Sequence, residues 1–169
     1  MQIAIMSDTH SNAANTRAAL EIIRERGVSC VLHCGDICDP ETVRLFHGLT
    51  THFVRGNNDF DEPGLRAAIA AIGGTYHGAF AQLEMAGKRL AMLHGDDWRL
   101  LERVQKEQLY DYVLFGHLHQ FSRNHVGRSI VINPGALHRA RPKTFVLLDL
   151  ASGFTQQIAL PETLGRQSR

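Results

Sequence analysis

The chain has 169 residues, of which 44% are hydrophobic and 21% are charged. This length suits one domain, and this composition argues against disorder and fibrous repeats. The 18 lysines and arginines nearly balance the 17 acidic residues, so no charge excess favours specific nucleic-acid binding or an anionic membrane surface. Because no apolar run approaches the about 20 residues needed to cross a bilayer and no secretory signal pattern is present, we expect a cytoplasmic protein without membrane contact.

The first half of the chain reads as alternating strands and helices. Short apolar runs predict buried strands, and apolar residues at helical spacing with capping signals predict helices. The predicted strands are 2–6, 28–34 and 52–55, and the predicted helices are 15–26, 40–48 and 64–72. This alternation favours a largely parallel sheet with right-handed crossovers.

Strands dominate the second half. Segments 75–85 and 88–93 read as a hairpin, and a helix is predicted over 97–107 with Asp97 as its cap. Strands follow at 112–115, 121–126, 129–132, 145–150 and 154–159. The whole pattern predicts an α/β sandwich of two mixed sheets faced by helices, as a single domain over residues 1–161. Residues 162–169 carry no periodic pattern, so we expect a flexible tail.

Polar motifs follow five of the predicted strands, at the point where each strand ends. They are Asp8-Thr-His10, Gly35-Asp36-Ile-Cys-Asp39, Gly56-Asn57-Asn-Asp59, His94-Gly95-Asp96 and Gly116-His117-Leu-His119. In open α/β sheets, sites form outside the carboxyl ends of the strands. We therefore expect these motifs to gather along one edge.

The residue types in these motifs favour metal binding. In extended chain, Asp8 and His10 point to the same side and can chelate one ion, and the same spacing recurs in the fifth motif. The glycines let the backbone turn where a side chain would block the ion. Carboxylates, one amide and imidazoles without thiolate suit Mn, Fe, Zn or Ni. Seven candidate ligands are too many for one tetrahedral ion and suit two ions that share a carboxylate.

The ordered motifs resemble those of the calcineurin-like metallophosphoesterases, and Asn133-Pro-Gly matches the small single-domain phosphodiesterases of bacteria and archaea. This resemblance implies a four-layer αββα sandwich. It also implies two divalent ions, with Asp36 as the bridge. One ion would be held by Asp8, His10 and His119, and the other by Asn57, His94 and His117.

The resemblance implies a phosphodiesterase in which a metal-bridging hydroxide attacks phosphorus in line. Mn²⁺ is the first expectation, with Fe, Zn and Ni as alternatives, and the substrate would be a small phosphate ester. Asn57 would also donate to a phosphate oxygen, and Arg141 would hold the substrate phosphate. The alternatives are a non-catalytic protein-binding scaffold resembling the retromer subunit, a phosphomonoesterase and a dinucleoside polyphosphate hydrolase. Whether the chain forms a homo-oligomer stays open.

Positions 58 and 96 depart from the family pattern, as do Ala136 and Ala140, which replace a serine and a proline usual in the family. Many relatives carry a histidine that protonates the leaving oxygen where this chain has Asn58, so good leaving groups are expected to react best. Asp59 is the nearest candidate to assist, beside an equally strong structural role as a turn residue. Asp96 stands where close relatives often have a second histidine. After the Asn133-Pro-Gly motif, His138 could reach the cleft, although a surface position is favoured for it.

Overall fold

A computed structural model describes residues 1–161 of the chain, so the predicted flexible tail at 162–169 lies outside the described residues. The strands are β1 Gln2–Met6, β2 Cys30–His33, β3 Thr50–Phe53, β4 Thr75–Tyr76, β5 Phe80–Met85, β6 Lys88–Leu93, β7 Tyr112–Leu114, β8 Phe121–Val126, β9 Ser129–Pro134, β10 Thr144–Asp149 and β11 Thr155–Ala159. The helices are α1 Ala13–Glu25, α2 Pro40–Arg44, α3 Glu62–Ala71 and α4 Trp98–Glu107. No described helix combines the length and apolar character needed to cross a bilayer.

The strands form two mixed sheets, as the sequence predicts. The first has the order β11-β10-β1-β2-β3-β4, and the second has the order β5-β6-β7-β9-β8. Strands β1 to β4 run parallel in the first sheet, and β6, β7 and β9 run parallel in the second. The remaining strands pair antiparallel at the outer sides. Both sheets therefore present several parallel carboxyl ends, which is where sites form in such folds.

Apolar side chains fill three interfaces between four layers. On β1, Ile3 and Ile5 lie between the two sheets, while Ala4 and Met6 face the first three helices. This split follows from the two-residue period of a strand, which turns alternate side chains to opposite faces. Val104 of α4 packs on the outer face of the second sheet. The predicted four-layer αββα sandwich is confirmed.

Two predicted elements are shorter than expected. The predicted strand 75–85 is broken, because β4 pairs with β3 in the first sheet while β5 pairs with β6 in the second. Gly78, in the left-handed region at φ 70°, lies in the passage between the sheets. The predicted helix 40–48 ends as α-helix at Arg44 and continues as tight turns, such as Phe46 N–H to Val43 O.

His33 is buried in the core at the end of β2. Its ring lies against Phe46 and Phe53, and its Nε2 is 3.2 Å from the Thr9 hydroxyl. Burial, helped by the positive charge of His94, lowers the pKa of His33 from 6.5 to about 3. The ring is therefore neutral in the folded protein at physiological pH.

This burial predicts a loss of stability in acid. The unfolded chain takes up a proton at His33 near pH 6.5 while the folded protein does not, so the stabilisation is lost as the pH falls from about 6.5 towards 3. Urea unfolding of chelator-treated protein across this range should show a steeper loss for the wild type than for His33→Gln. Parallel curves for the two proteins would contradict the assignment.

Candidate metal centre

The centre forms where the carboxyl ends of five strands meet across the two sheets. Backbone hydrogen bonds tie their loops together: Asp8 N–H donates to Gly35 O at 3.0 Å, and Gly116 N–H donates to His94 O at 2.8 Å. Between the sheets, His117 N–H donates to Asp8 Oδ2 at 3.0 Å. The five motifs thus share one edge, as the sequence predicts.

One group of side chains consists of Asp8, His10 and His119, whose ligand atoms lie within 4.8 Å of one another. His119 Nε2 is 3.1 Å from Asp8 Oδ1. His10 Nε2 is 3.7 Å from the same oxygen and 3.3 Å from His119 Nε2. One carboxylate oxygen and two imidazole nitrogens therefore point at a common position.

A second group adjoins the first through Asp36. His94 Nε2 is 3.4 Å from Asp36 Oδ2 and 3.1 Å from Asn57 Oδ1, while His10 Nε2 lies 3.6 Å from Asp36 Oδ2. The ring of His117 is 5.2 Å from that of His94, centre to centre. Asp36 thus lies between the two groups, with an imidazole on either side.

The donor atoms fit a bound cation. Asp8 has no exposed surface, and its Oδ1 is buried without a hydrogen-bond partner among residues 1–161. Burying an ionised carboxylate without compensation costs several kcal/mol, roughly, so such groups are paired or coordinate metals. A divalent ion at the common position would supply the missing partner.

Asp36 and His94 influence each other strongly. Burial opposes the charge on Asp36, but hydrogen bonds from His94 and Asn58 hold the pKa of its carboxyl well below its usual value. Burial alone would lower the pKa of His94, yet contact with Asp36 raises it to about 9. His94 Nδ1 donates to Cys34 O at 2.8 Å. A bond at that nitrogen leaves Nε2 directed into the centre, as in histidines that ligate metals.

The ligand residues reach the centre through bends rather than extended chain. The φ angles of Asp8, His10, Asp36, His117 and His119 are 55°, 42°, 59°, 65° and 54°. The expected extended spacing of Asp8 and His10 is therefore wrong. Residues other than glycine rarely occupy this left-handed region, and such strain concentrates at functional sites.

Glycines leave room for the ligand side chains, as the sequence predicts. A Cβ on Gly56 would lie 2.1 Å from Asp36 Oδ1, and one on Gly116 would lie 2.8 Å from Asp8 Oδ2. A Cβ on Gly35 would lie 2.7 Å from His94 Nδ1. Each of these glycines thus protects a different candidate ligand.

Asp59 ties two of the loops together from beneath the centre. Its Oδ2 accepts the N–H groups of Gly56 at 2.7 Å and Asp36 at 3.0 Å, and its Oδ1 accepts the Cys38 N–H at 2.8 Å. Burial raises the pKa of Asp59 even though these amides oppose the rise. With both oxygens engaged, the geometry favours the structural role over the catalytic one.

The structure also places the neighbouring side chains. Asn58 donates from its amide to Asp36 Oδ2 at 2.7 Å. Arg141 is exposed and makes no side-chain polar contact within residues 1–161. His138 lies beside His10, with 5.4 Å between ring centres, and Cys38 Sγ is 3.5 Å from His10 Nδ1. The sequence favoured a surface position for His138, and no local pattern places either His138 or Cys38 beside His10.

In a comparison with known protein families, residues 1–153 match the family described as the calcineurin-like phosphoesterase superfamily domain. The chain belongs to the calcineurin-like phosphoesterases. The family resemblance seen in the motifs is confirmed, and membership makes the chain a hydrolase of phosphoric esters. The family also implies divalent metal ions.

Several relatives share this fold. A phosphodiesterase of Methanocaldococcus jannaschii is 34% identical over 138 residues, which cover 80% of this chain and 83% of that protein. A solved archaeal phosphodiesterase is 31% identical with a TM-score of 0.89, over 95% of this chain and all of that chain. A zinc complex of Vps29 from Entamoeba histolytica, 19% identical, has a TM-score of 0.66 over 95% of this chain and 98% of that chain. At that identity, Vps29 shows the fold alone.

Replacing Gly56 should disturb the centre selectively. In Gly56→Ala the new Cβ would lie 2.1 Å from Asp36 Oδ1 and 2.4 Å from the Asp36 backbone nitrogen, so Asp36 must move. We expect Mn²⁺ affinity, measured by isothermal titration calorimetry, to fall by roughly 10- to 100-fold.

Gly64→Ala is the matched control. Its Cβ would meet only the exposed side chain of Asp61, the cap residue of α3, which can rotate away. Mn²⁺ affinity in this variant should match the wild type. Unchanged affinity in Gly56→Ala would contradict the placement of Asp36.

Proposed function

We propose that the chain is a dinuclear metal-dependent phosphodiesterase. The observation that carries the proposal is a pair of adjacent buried carboxylates, Asp8 and Asp36, with an Asp8 oxygen that has no hydrogen-bond partner among residues 1–161. Two such groups in contact suit two cations that share a ligand. The phosphodiesterase name of the Methanocaldococcus jannaschii relative supports the choice of a diester.

The proposed ligands follow the two groups of side chains. Asp8, His10 and His119 would hold one ion, and Asn57, His94 and His117 the other. Asp36 would bridge the two, which its distances of 3.6 Å to His10 and 3.4 Å to His94 support.

Mn²⁺ is the ion we propose first. The set of carboxylate, amide and imidazole donors suits Mn, Fe, Zn or Ni better than a soft thiolate site. Cys38 adjoins His10, but burial, together with nearby carboxylates, raises the pKa of its thiol to about 12. The metal-free protein therefore presents a neutral thiol, not a thiolate, beside His10.

When bound, the two ions would supply a nucleophilic hydroxide for in-line attack and neutralise charge on the phosphate. The residues of the chain position the substrate. The Asn57 side chain is exposed at the cleft while its Oδ1 lies 3.1 Å from His94, so its amide N–H groups are free to donate to a phosphate oxygen. Asn58 donates a hydrogen bond to Asp36, but an amide cannot protonate a leaving group at useful pH. Esters with good leaving groups should therefore react best.

Hydrolysis of bis(p-nitrophenyl) phosphate beside p-nitrophenyl phosphate tests this function. Protein treated with EDTA should be inactive, added Mn²⁺ should restore turnover best, and the diester should react faster than the monoester. In Mn²⁺, His117→Ala should lose about 100-fold or more in kcat/KM, because it removes a proposed ligand.

The matched control is His125→Ala. His125 is exposed on β8 and pairs with Ile130 near the start of β9, at the edge away from the centre, so this variant should keep wild-type kcat/KM. Full activity in folded His117→Ala would refute the ligand assignment. Turnover unaffected by EDTA would refute metal dependence, and no turnover of either ester by folded, metal-loaded protein would favour a scaffold.

A further inference from the structure

A groove leads away from the candidate centre on the side of Asn57. One cleft of about 370 Å³ is bordered by Asn57, Arg55, Phe60 and Asp96. A smaller cavity of about 120 Å³ shares Arg55 and Asp96 and extends to His94. We name these two adjoining cavities the Arg55 groove. A phosphate held at the centre would place one of its ester groups at the mouth of the Arg55 groove.

Phe60 offers a flat apolar face at this groove. Its side chain is 85% exposed, although a benzyl group in water forgoes the free energy that burial would give. Phe60 directly follows Asp59, whose carboxylate is bonded to three backbone amides. The backbone that carries the ring is thus held in place, which favours a stacking surface.

Asp96 and Arg55 supply polar groups beside that ring. Asp96 is exposed, and within residues 1–161 its carboxylate makes no hydrogen bond or ion pair. Arg55 is half-exposed, and among the described residues its side chain pairs only with Glu62, at 3.7 Å. A carboxylate repels phosphate, so Asp96 must face a part of the substrate that donates N–H groups. Arg55 can donate to ring nitrogens or hydroxyl groups.

We propose that the Arg55 groove binds the nucleobase of a nucleoside phosphodiester. A nucleobase combines a flat ring for Phe60, N–H donors for Asp96 and acceptors for Arg55. A lipid tail would require apolar walls, which the charged sides of the groove do not offer. The proposal rests on the phosphodiesterase function, because the phosphate at the centre orients the base.

Binding of a nucleotide product and of the corresponding sugar phosphate without the base tests the proposal. Isothermal titration calorimetry of the Mn²⁺-loaded protein should show adenosine 5′-monophosphate binding roughly tenfold or more tightly than ribose 5-phosphate, as expected for one stacked base. Phe60→Leu keeps an apolar side chain but removes the ring, so the preference should largely vanish. Phe60→Tyr should retain it.

Phe154→Leu is the matched control. Phe154 is 63% exposed and precedes β11, at the edge that carries the amino end of β1 and lies opposite the centre. The Phe154→Leu protein should prefer the nucleotide as strongly as the wild type does. Equal affinity of the wild type for both ligands, or an undiminished preference in Phe60→Leu, would overturn the proposal. The phosphodiesterase function is decided separately, by hydrolysis of bis(p-nitrophenyl) phosphate.

Discussion

Two carboxylates buried side by side set the conditions that the rest of this structure meets. Asp8 and Asp36 have almost no exposed surface, and their charges repel each other in a region of low polarity. Asn58 and the backbone of His117 donate to these carboxylates, and imidazoles from both sheets approach them. One Asp8 oxygen still lacks a hydrogen-bond partner among residues 1–161. A bound cation would offset this repulsion, and metal binding would then add to the stability of the fold.

Hydrogen bonds from buried side chains hold together the loops that carry these groups. The carboxylate of Asp59 gathers three backbone amides from two loops, and Asn133 donates to Gly116 O at 2.6 Å to secure the loop of His117. The left-handed backbone at Asp8 and Asp36 costs energy. That strain persists because the residues follow closely after β1 and β2, whose hydrogen bonds and core contacts fix where each loop begins.

Much of the fold follows from patterns local in sequence, whereas the finer arrangement does not. Two-residue and helical periods in the apolar residues indicated the two sheets and their helices, and polar motifs at strand ends indicated the edge that carries the centre. The predicted strand 75–85 is broken at Gly78 because its two halves join different sheets. An apolar run in the sequence does not show which sheet a strand will join. The approach of Cys38 and His138 to His10 depends on loops packed together in three dimensions. The assignment of seven ligands to two ions stays a prediction.

The buried carboxylates belong to a centre that acts on the phosphate, whereas substrate selectivity has a different origin. A centre that engages only the phosphate treats all phosphate esters alike, and uniform binding of that kind does not discriminate between substrates. Selectivity must then come from side chains that touch the rest of the substrate. Phe60 follows Asp59 in the chain, and Asp96 lies two residues after His94, so the bonds that position the centre also position both groove residues. A shift in the buried carboxylates would consequently move the groove with it, which links substrate choice to the integrity of the centre.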